Sequence, residues 1–513
     1  MQINKDIRFN KPIWLPILVG TFLRLININS PILGVHSWRQ ADTAAIARNF
    51  AIGNSPIWLP QIDWSGSANG YVECEFPIFS YLVAQLYKLF GIHEIFGRLL
   101  ALAFSVITIY LIIRIGRILI DNESGFWGGL FFACLPIGIY YGRTFQAESF
   151  LIFLASLSID RLLAWKFSKN RINLFICWIS FTLACLIKVL PFIWLGMPLL
   201  YIYIYDCNQE KILSISIIYK RLLQEFSKPG VWIFIISSFS LVSVWFLYAY
   251  LLGQSSGASF GFWGSDRSSL ILIFDLLKWL DLLLRIVVRY LSILGLPLLI
   301  LGLVNLPQNS KSGFFIFILL GIFASTILAI KSSFIHEYYQ LPLQLFICPL
   351  MGRGIVCLPS LLKDRFVLRL TSVVTICLLM AASLSIYSID YLAVENKQAD
   401  IWMPLALSIR NEVEPDSLIV SVTGLDPTLL NLARRRGWLT SPSMVNKEKL
   451  LYWEQEGAQY IAGSLQWEES YKPFDDGKYK ENLRYALCNL SSDRFCPKPP
   501  NYTYLVPIGK LVD

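Results

Sequence analysis

Long apolar stretches separated by short polar segments make up most of the chain. A helix needs about 20 mostly apolar residues to cross the hydrocarbon core of a bilayer. Eleven stretches approach this length and predict transmembrane helices, near residues 12–29, 95–117, 124–142, 148–165, 173–187, 189–206, 230–252, 286–305, 312–330, 338–358 and 367–389. Segment 268–285 instead mixes charged residues with leucines, which is typical of a helix lying in the membrane interface.

Two longer polar regions lie outside these spans. In the first loop, 30–94, the pattern predicts a short helix at 41–52, an irregular stretch at 53–72 and an amphipathic interfacial helix at 76–90. In the tail, 393–513, it predicts strands LIVSV and AQYIAGS and helices TLLNLARRRG and LLYWEQEG. Asp426-Pro427 is expected to open the first of these helices, and Gly437 to end it. We therefore expect an all-α polytopic membrane domain, 1–392, followed by a small α/β domain, 393–513.

Composition and charge agree with a membrane protein. Hydrophobic residues make up 55% of the chain and charged residues 15%, whereas a soluble domain carries roughly 25% charged residues. The net charge of +9 does not point to nucleic acid, because Lys and Arg gather in alternate loops. The positive-inside rule then places the N-terminus in the cytoplasm and, with eleven spans, the tail outside. A multi-pass membrane protein fits this pattern.

The spacing of the cysteines does not indicate a disulfide framework. Ten are present, none in a CxxC pair. Five lie in apolar stretches and are expected to be small core residues: Cys134, Cys177, Cys185, Cys348 and Cys377. If the tail is extracytoplasmic, Cys488 and Cys496 could form a disulfide, with free thiols as the equal alternative. Histidine is scarce and no carboxylate–histidine spacing suits a metal, so no cofactor is implied and a divalent metal is not favoured.

Acidic residues in the first loop are candidates for catalysis. Asp42 and Glu75 each stand near a predicted short helix and could converge on one cleft. A glycosyl transferase needs such a carboxylate to accept the proton of an attacking hydroxyl or amine. The alternative, which spacing alone favours, is that both residues cap helix ends.

Further polar residues lie at the same predicted face of the membrane. Ionisable groups at membrane edges are expensive and are functional candidates by default. Carboxylates and cations together suit a base beside an anionic lipid-phosphate leaving group. Snorkelling of Arg98 and Lys188 to the interface is the alternative, and loop 253–267 could be a lid, a sugar-stacking surface or a plain solvent loop. The candidates are Arg39, Gln40, Arg98, Arg143, Glu148, Lys188, His336, Glu337, Tyr338 and Tyr339.

Several of these segments resemble one enzyme family. HSWRQADTAAIARNF, ECEFPIFSYLVAQLYKLFG and the following GRLLAL resemble the first loop of GT-C-fold glycosyltransferases, in particular aminoarabinose lipid A transferases and protein O-mannosyltransferases. RTFQAES, ACLIKVLPF and HEYYQLPL resemble later motifs of that family. The resemblance covers roughly residues 12–360, and a bacterial inner membrane fits it.

The resemblance implies an inverting transferase that uses a polyprenyl-phosphate sugar and an extracytoplasmic lipid, polysaccharide or protein acceptor. Asp42 or Glu75 would be the base, Glu148 a further acidic element, and Lys188 with Arg98 or Arg143 would hold the lipid phosphate. A gapless match puts Arg39 or Gln40, not Asp42, at the family's first acid. Either a small shift brings Asp42 into place, or Glu75 and Glu148 carry the acidic roles.

Two other classes of function compete with this one. A transporter or flippase of a lipid-linked saccharide would share the spans and the cationic site, but it should show internal repeats and broken helices near the midplane, and the sequence indicates neither. A membrane scaffold that only presents the tail would have no use for acids and bases pooled on one face.

Overall fold

A computed structural model describes residues 12–205, 215–260, 269–358, 365–465 and 502–512. Cys488 and Cys496 lie outside the described residues, as does 261–267 of the 253–267 loop. The helices up to the end of the first half are α1 (Trp14–Leu25), α2 (Ser37–Gly53), α3 (Ile78–Phe90), α4 (Ile95–Leu119), α5 (Asn122–Cys134), α6 (Pro136–Tyr141), α7 (Glu148–Ser168), α8 (Arg171–Ile187), α9 (Pro191–Trp194), α10 (Gly196–Ile204), α11 (Ile215–Phe226) and α12 (Pro229–Ser256).

The second half adds further helices and a sheet. The helices are α13 (Leu276–Arg285), α14 (Gly295–Val304), α15 (Gly313–Leu328), α16 (Ile330–Ile335), α17 (Gln344–Cys357), α18 (Arg365–Tyr387), α19 (Ala393–Glu412), α20 (Thr428–Ala433), α21 (Lys447–Gln455) and α22 (Gly509–Val512). The strands are β1 (Leu418–Val422), β2 (Gly437–Thr440), β3 (Ala458–Ser464) and β4 (Thr503–Pro507). Short 3₁₀ or π-helical turns cover Leu270–Phe274, Ile286–Tyr290, Ser310–Ser312, Glu337–Leu343, Ser388–Leu392 and Pro442–Met444.

Contacts divide the chain into two compact units. The first, called the membrane unit, comprises Met1–Ile28, Arg98–Tyr248 and Trp263–Ile389. The second, called the loop–tail unit, comprises Asn29–Gly97, Ala249–Phe262 and Asp390–Asp513. The first loop and the tail therefore share one unit, a grouping that the sequence pattern did not predict. The division at 392/393 stays a prediction.

The described helices identify an integral membrane protein. Five are long and apolar enough to cross a bilayer, or six if one bent pair counts as a span: Ile95–Leu119, Pro229–Ser256, Ser310–Leu328, Glu337–Cys357, Leu370–Glu412 and the pair Leu276–Tyr290 with Gly295–Val304. Each of the eleven predicted ranges contains helix. Several are short or interrupted, as at Leu135, which separates α5 from the Pro136 that begins α6. The number of crossings therefore stays a prediction.

A sharp bend replaces the straight span expected at 286–305. The helical run Leu276–Tyr290 meets α14 at 95°. At the bend Ser292 and Ile293 have φ values of 49° and 62°. Positive φ is a strained conformation for a β-branched residue such as Ile293. Before the bend, the expected amphipathic helix is present as α13, with Leu276 80% and Leu277 75% exposed.

Glycines bring helices of the membrane unit into close contact. A Cβ on Gly302 would overlap the carbonyl oxygen of Leu350, and one on Gly354 would overlap that of Leu298. Small residues let helix backbones approach closely in a membrane, where packing supplies much of the association energy. The α14–α17 pair thus depends on these two positions.

Gly354→Leu should destabilise the membrane unit by about 3 kcal/mol or prevent folding, because overpacking a tight interface forces backbone shifts. Thermal unfolding in detergent measures the effect. Gly230→Leu is the matched control, since a Cβ there meets nothing within 4 Å. Equal melting temperatures for the two variants would contradict the packing argument.

The loop–tail unit contains a four-stranded sheet in the order β2-β1-β3-β4. β1 pairs in parallel with β2 and β3, and β4 runs antiparallel to β3. The two predicted strands are confirmed, whereas β2 and β4 were not foreseen. The predicted helix TLLNLARRRG is too long: α20 ends at Ala433, because Arg434 adopts φ 53°. Gly437 belongs to β2 instead, where a Cβ would overlap the carbonyl oxygen of Ile419.

The first loop packs with the tail in this unit. α3 matches the predicted amphipathic segment, while α2 begins four residues earlier than predicted, at Ser37. Arg48 on α2 forms an ion pair with Asp63 and donates to Asn431 Oδ1 on α20 at 2.8 Å. Loop residue Asp63 and tail residue Asn431 are thereby fixed to one helix.

Candidate functional site

Asp42 lies inside α2 of the loop–tail unit and is 3% exposed. Its Oδ1 accepts a hydrogen bond of 2.9 Å from Trp64 Nε1. Burial, opposed by this bond and by the charge of Arg39, raises the pKa of Asp42 to about 7. Asp42 caps no helix, because α2 begins at Ser37, so the capping interpretation is wrong for this residue.

Glu75 forms an ion pair with Arg39, and both side chains are nearly buried. The Arg39 guanidinium also lies 5.5 Å from the centroid of the Phe260 ring. Glu75 does not cap α3, whose N-cap is Pro77. Because Arg39 acts on the pKa of Asp42 and pairs with Glu75, the loop–tail unit brings these three predicted residues together. Gln40, also predicted, is completely buried in α2.

Lys188 and Glu148 form an ion pair in the membrane unit. Lys188 Nζ lies 2.7 Å from Glu148 Oε1, at the N-terminus of α7, where a negative charge is favourable. The ammonium also lies 4.4 and 4.9 Å from the ring centroids of Tyr338 and Tyr339. Cation–π contacts and an ion pair hold Lys188 in place.

A small groove lies beside this lysine. Tyr338 and Tyr339 line it together with Lys188, and apolar side chains such as Leu151 and Trp194 form much of its wall. Ser325 also lines it, with a buried hydroxyl oxygen that has no hydrogen-bond partner. A cation at one point of an apolar groove suits an amphipathic ligand with an anionic head.

Glu337 lies in a second cluster of the membrane unit. It forms an ion pair with Arg289 and accepts a hydrogen bond of 2.9 Å from Tyr141. His336 stacks on Tyr338, with ring centroids 5.2 Å apart. The predicted residues 336–339 thus lie together, and Tyr338 links them to Lys188.

The two predicted arginines of this unit are fully buried. Arg143 Nε donates to the hydroxyl of Tyr387 at 2.8 Å, and its guanidinium lies beside the rings of Tyr387 and Tyr140. Arg98 is 0% exposed in the first turn of α4, so snorkelling does not describe it.

Sequence reasoning missed several partners of these groups, among them Trp64, Tyr141, Arg289 and Tyr387. Arg289 carried a signal, because a cation inside an apolar stretch is expensive without a partner. No such signal marked Trp64 or Tyr141. Within the described part of the chain, no group of three or more His, Cys, Asp or Glu side chains is placed to hold a metal ion.

Comparison with known proteins decides the fold. Residues 75–227 match the family model described as dolichyl-phosphate-mannose-protein mannosyltransferase. ArnT from Cupriavidus metallidurans, solved with undecaprenyl phosphate, is 14% identical with a TM-score of 0.65, over 97% of this chain and 98% of ArnT. This protein has the GT-C glycosyltransferase fold. The resemblance drawn from the first-loop motifs is thereby confirmed.

Other GT-C structures are similar over most of the chain. The Archaeoglobus fulgidus oligosaccharyltransferase, tethered to an acceptor peptide with an NVT sequon, is 12% identical with a TM-score of 0.54, over 88% of this chain and 68% of that one. AglB of the same organism, with an inhibitory peptide and a dolichol-phosphate, is 11% identical with a TM-score of 0.51, over 88% and 69%. No curated protein matches the chain by sequence.

Proposed function

We propose that this GT-C protein is an inverting glycosyltransferase that moves a sugar from a polyprenyl-phosphate donor to an extracytoplasmic lipid, polysaccharide or protein. The observation that carries the proposal is the buried carboxylate of Asp42, with a pKa of about 7. A general base works best when its pKa lies near the working pH, and an ordinary exposed aspartate is far too acidic.

The donor class is argued from the groove beside Lys188. Its ammonium supplies the positive charge that a lipid phosphate needs, and the apolar wall suits the polyprenyl chain. Two proteins of the same fold support this choice, since ArnT was solved with undecaprenyl phosphate and AglB with a dolichol-phosphate. Arg98 or Arg143 would assist, as further cations of the membrane unit.

The proposed reaction is a single displacement. An acceptor hydroxyl or amine attacks the anomeric carbon from the side opposite the phosphate, and Asp42 or Glu75 takes its proton. The bond from the anomeric carbon to the phosphate oxygen breaks, and the electron pair leaves with the polyprenyl phosphate. Lys188 stabilises the charge that develops on that oxygen. The sugar is thus transferred with inversion.

The proposed setting is the inner membrane of a bacterium. The N-terminus would lie in the cytoplasm and the loop–tail unit outside. The distribution of Lys and Arg along the chain supports this orientation. The donor head group and the acceptor would then meet on the extracytoplasmic side.

Glu75→Gln should reduce sugar transfer at least a hundredfold, because the variant loses either the base or the ion pair that orients Arg39. The assay supplies purified protein in lipid with radiolabelled polyprenyl-phosphate sugars and follows the label into acceptor. The control is Glu448→Gln, an exposed acid on α21. Undiminished transfer by Glu75→Gln would remove Glu75 from the proposed machinery.

A further inference from the structure

A basic surface lies where the end of α3 meets the residues after α20, within the loop–tail unit. Arg434 is exposed, and its guanidinium donates to the carbonyl oxygen of Ile92 at 3.3 Å. Arg410, near the end of α19, is half-buried and close enough for Arg434 to act on its charge. We call Arg410 and Arg434 the arginine pair.

Arg410 lies in an environment with excess positive charge. Its Nε is buried and has no hydrogen-bond partner. The charges of Arg434, Arg48 and Arg435 act on Arg410, and that of Glu94 opposes them. A half-buried cation with an unused donor and cationic neighbours is a favourable place for an anion.

The other arginines of this region are already occupied. Arg48 pairs with Asp63 and donates to Asn431. Arg435 donates to carbonyl oxygens at the end of α19, including that of Val413 at 2.5 Å. The arginine pair therefore retains the donors that an incoming ligand could use.

Exposed apolar side chains lie at the same end of α3. Leu89 is 73% exposed and Phe90 62%, and Ile52 at the end of α2 is 68% exposed. Lys88 Nζ donates to Asn54 Oδ1 at 2.6 Å, which holds the ends of α2 and α3 together. Large apolar side chains beside cations are typical of a surface that enters the head-group region of a bilayer.

We propose that this surface binds an anionic phospholipid, with the phosphate of the head group at Arg410 and Arg434 and the acyl chains against Ile52, Leu89 and Phe90. A free anion would use the arginines but leave the apolar side chains in water. A lipid uses both, because its charged head group and its apolar chains are joined in one molecule. The proposal is independent of the proposed sugar transfer.

The test is a thermal-shift titration of the full-length protein in a non-ionic detergent. Dioctanoyl phosphatidylglycerol should raise the melting temperature saturably, and dioctanoyl phosphatidylcholine and inorganic phosphate should not. Arg410→Gln/Arg434→Gln should weaken phosphatidylglycerol binding about thirtyfold. The matched control is Arg436→Gln, an exposed arginine of the same run that donates to the carbonyl oxygen of Ala68 and should bind normally.

A second pair of variants tests the apolar part of the proposed lipid-binding surface. Leu89→Ser/Phe90→Ser should also weaken binding, whereas Leu425→Ser, which changes a residue 87% exposed in the same unit, should not. If the double arginine variant fails to fold, Arg434→Gln alone should weaken binding about fivefold. The proposal is overturned if phosphatidylcholine or inorganic phosphate protects equally well, or if Arg436→Gln weakens binding as much as the arginine-pair variant.

Discussion

Asp42→Asn is expected to reduce the rate of sugar transfer about a thousandfold or more, while the protein remains folded. Asparagine has nearly the shape of aspartate and its side-chain oxygen can still accept the hydrogen bond from Trp64 Nε1. It cannot accept a proton at neutral pH, and losing a general base costs roughly 10² to 10⁴ in rate. Transfer of radiolabel from a polyprenyl-phosphate sugar, measured beside wild type, checks the result.

The same variant is expected to change how thermal stability depends on pH. This change distinguishes a loss of catalysis from a loss of folding. The pKa of Asp42 in the folded protein, about 7, exceeds the ordinary aspartate pKa of 3.8. Between these two pH values the carboxyl group is protonated in the folded protein but ionised in the unfolded chain. The free energy of unfolding therefore falls as pH rises toward 7. Asp42→Asn lacks this loss, so it should melt no lower than wild type at pH 8.

Thermal unfolding of both proteins at pH 5 and pH 8 measures the difference. Wild type should lose more stability between the two pH values than Asp42→Asn does. A variant that is inactive because it is misfolded would melt lower at both pH values, and full transfer by a folded Asp42→Asn would exclude Asp42 as the base and leave Glu75.

Lys188→Met should lose both transfer and stability. The substitution removes the cation that is proposed to hold the lipid phosphate, and it leaves Glu148 buried without the ammonium 2.7 Å away. Breaking a buried ion pair on one side costs about 3–5 kcal/mol, because an uncompensated charge remains. Melting temperature in detergent and sugar transfer are both expected to fall.

The double variant Lys188→Met/Glu148→Gln separates the two effects. Neutralising Glu148 removes the uncompensated charge, so stability should return toward that of wild type. Transfer should stay lost, because the phosphate still lacks its cation. Recovery of transfer together with stability would mean that Lys188 serves only to neutralise Glu148.

The sequence predicted the elements whose pattern is long or strongly periodic. A helix lies in each of the eleven apolar ranges, and the strand-like segments at 418–422 and 458–464 predicted β1 and β3. First-loop motifs indicated the GT-C fold, which the comparisons confirm. Ionisable residues near apolar segments also stood out, because such positions are costly without a function or a partner.

The features that escaped prediction depend on contacts between distant residues. The bend at 291–294 rests on positive φ values at Ser292 and Ile293, residue types that do not favour them. β2 follows from Gly437 packing against Ile419, which the sequence spacing does not reveal. The pKa of Asp42 depends on burial and on Trp64, 22 residues away. These effects appear only once the chain is folded.

The central claim is that the protein transfers sugar from a lipid-linked donor. The most direct measurement compares two classes of donor in one transfer assay. Wild-type protein in sealed vesicles receives the same radiolabelled sugars as polyprenyl-phosphate and as nucleotide donors, with bacterial membrane extract as acceptor. Label should leave the polyprenyl-phosphate donor and appear in acceptor, and no label should move from the nucleotide sugars. Label that crosses the vesicle membrane while still attached to its lipid, with none reaching acceptor, would contradict the claim and favour a flippase.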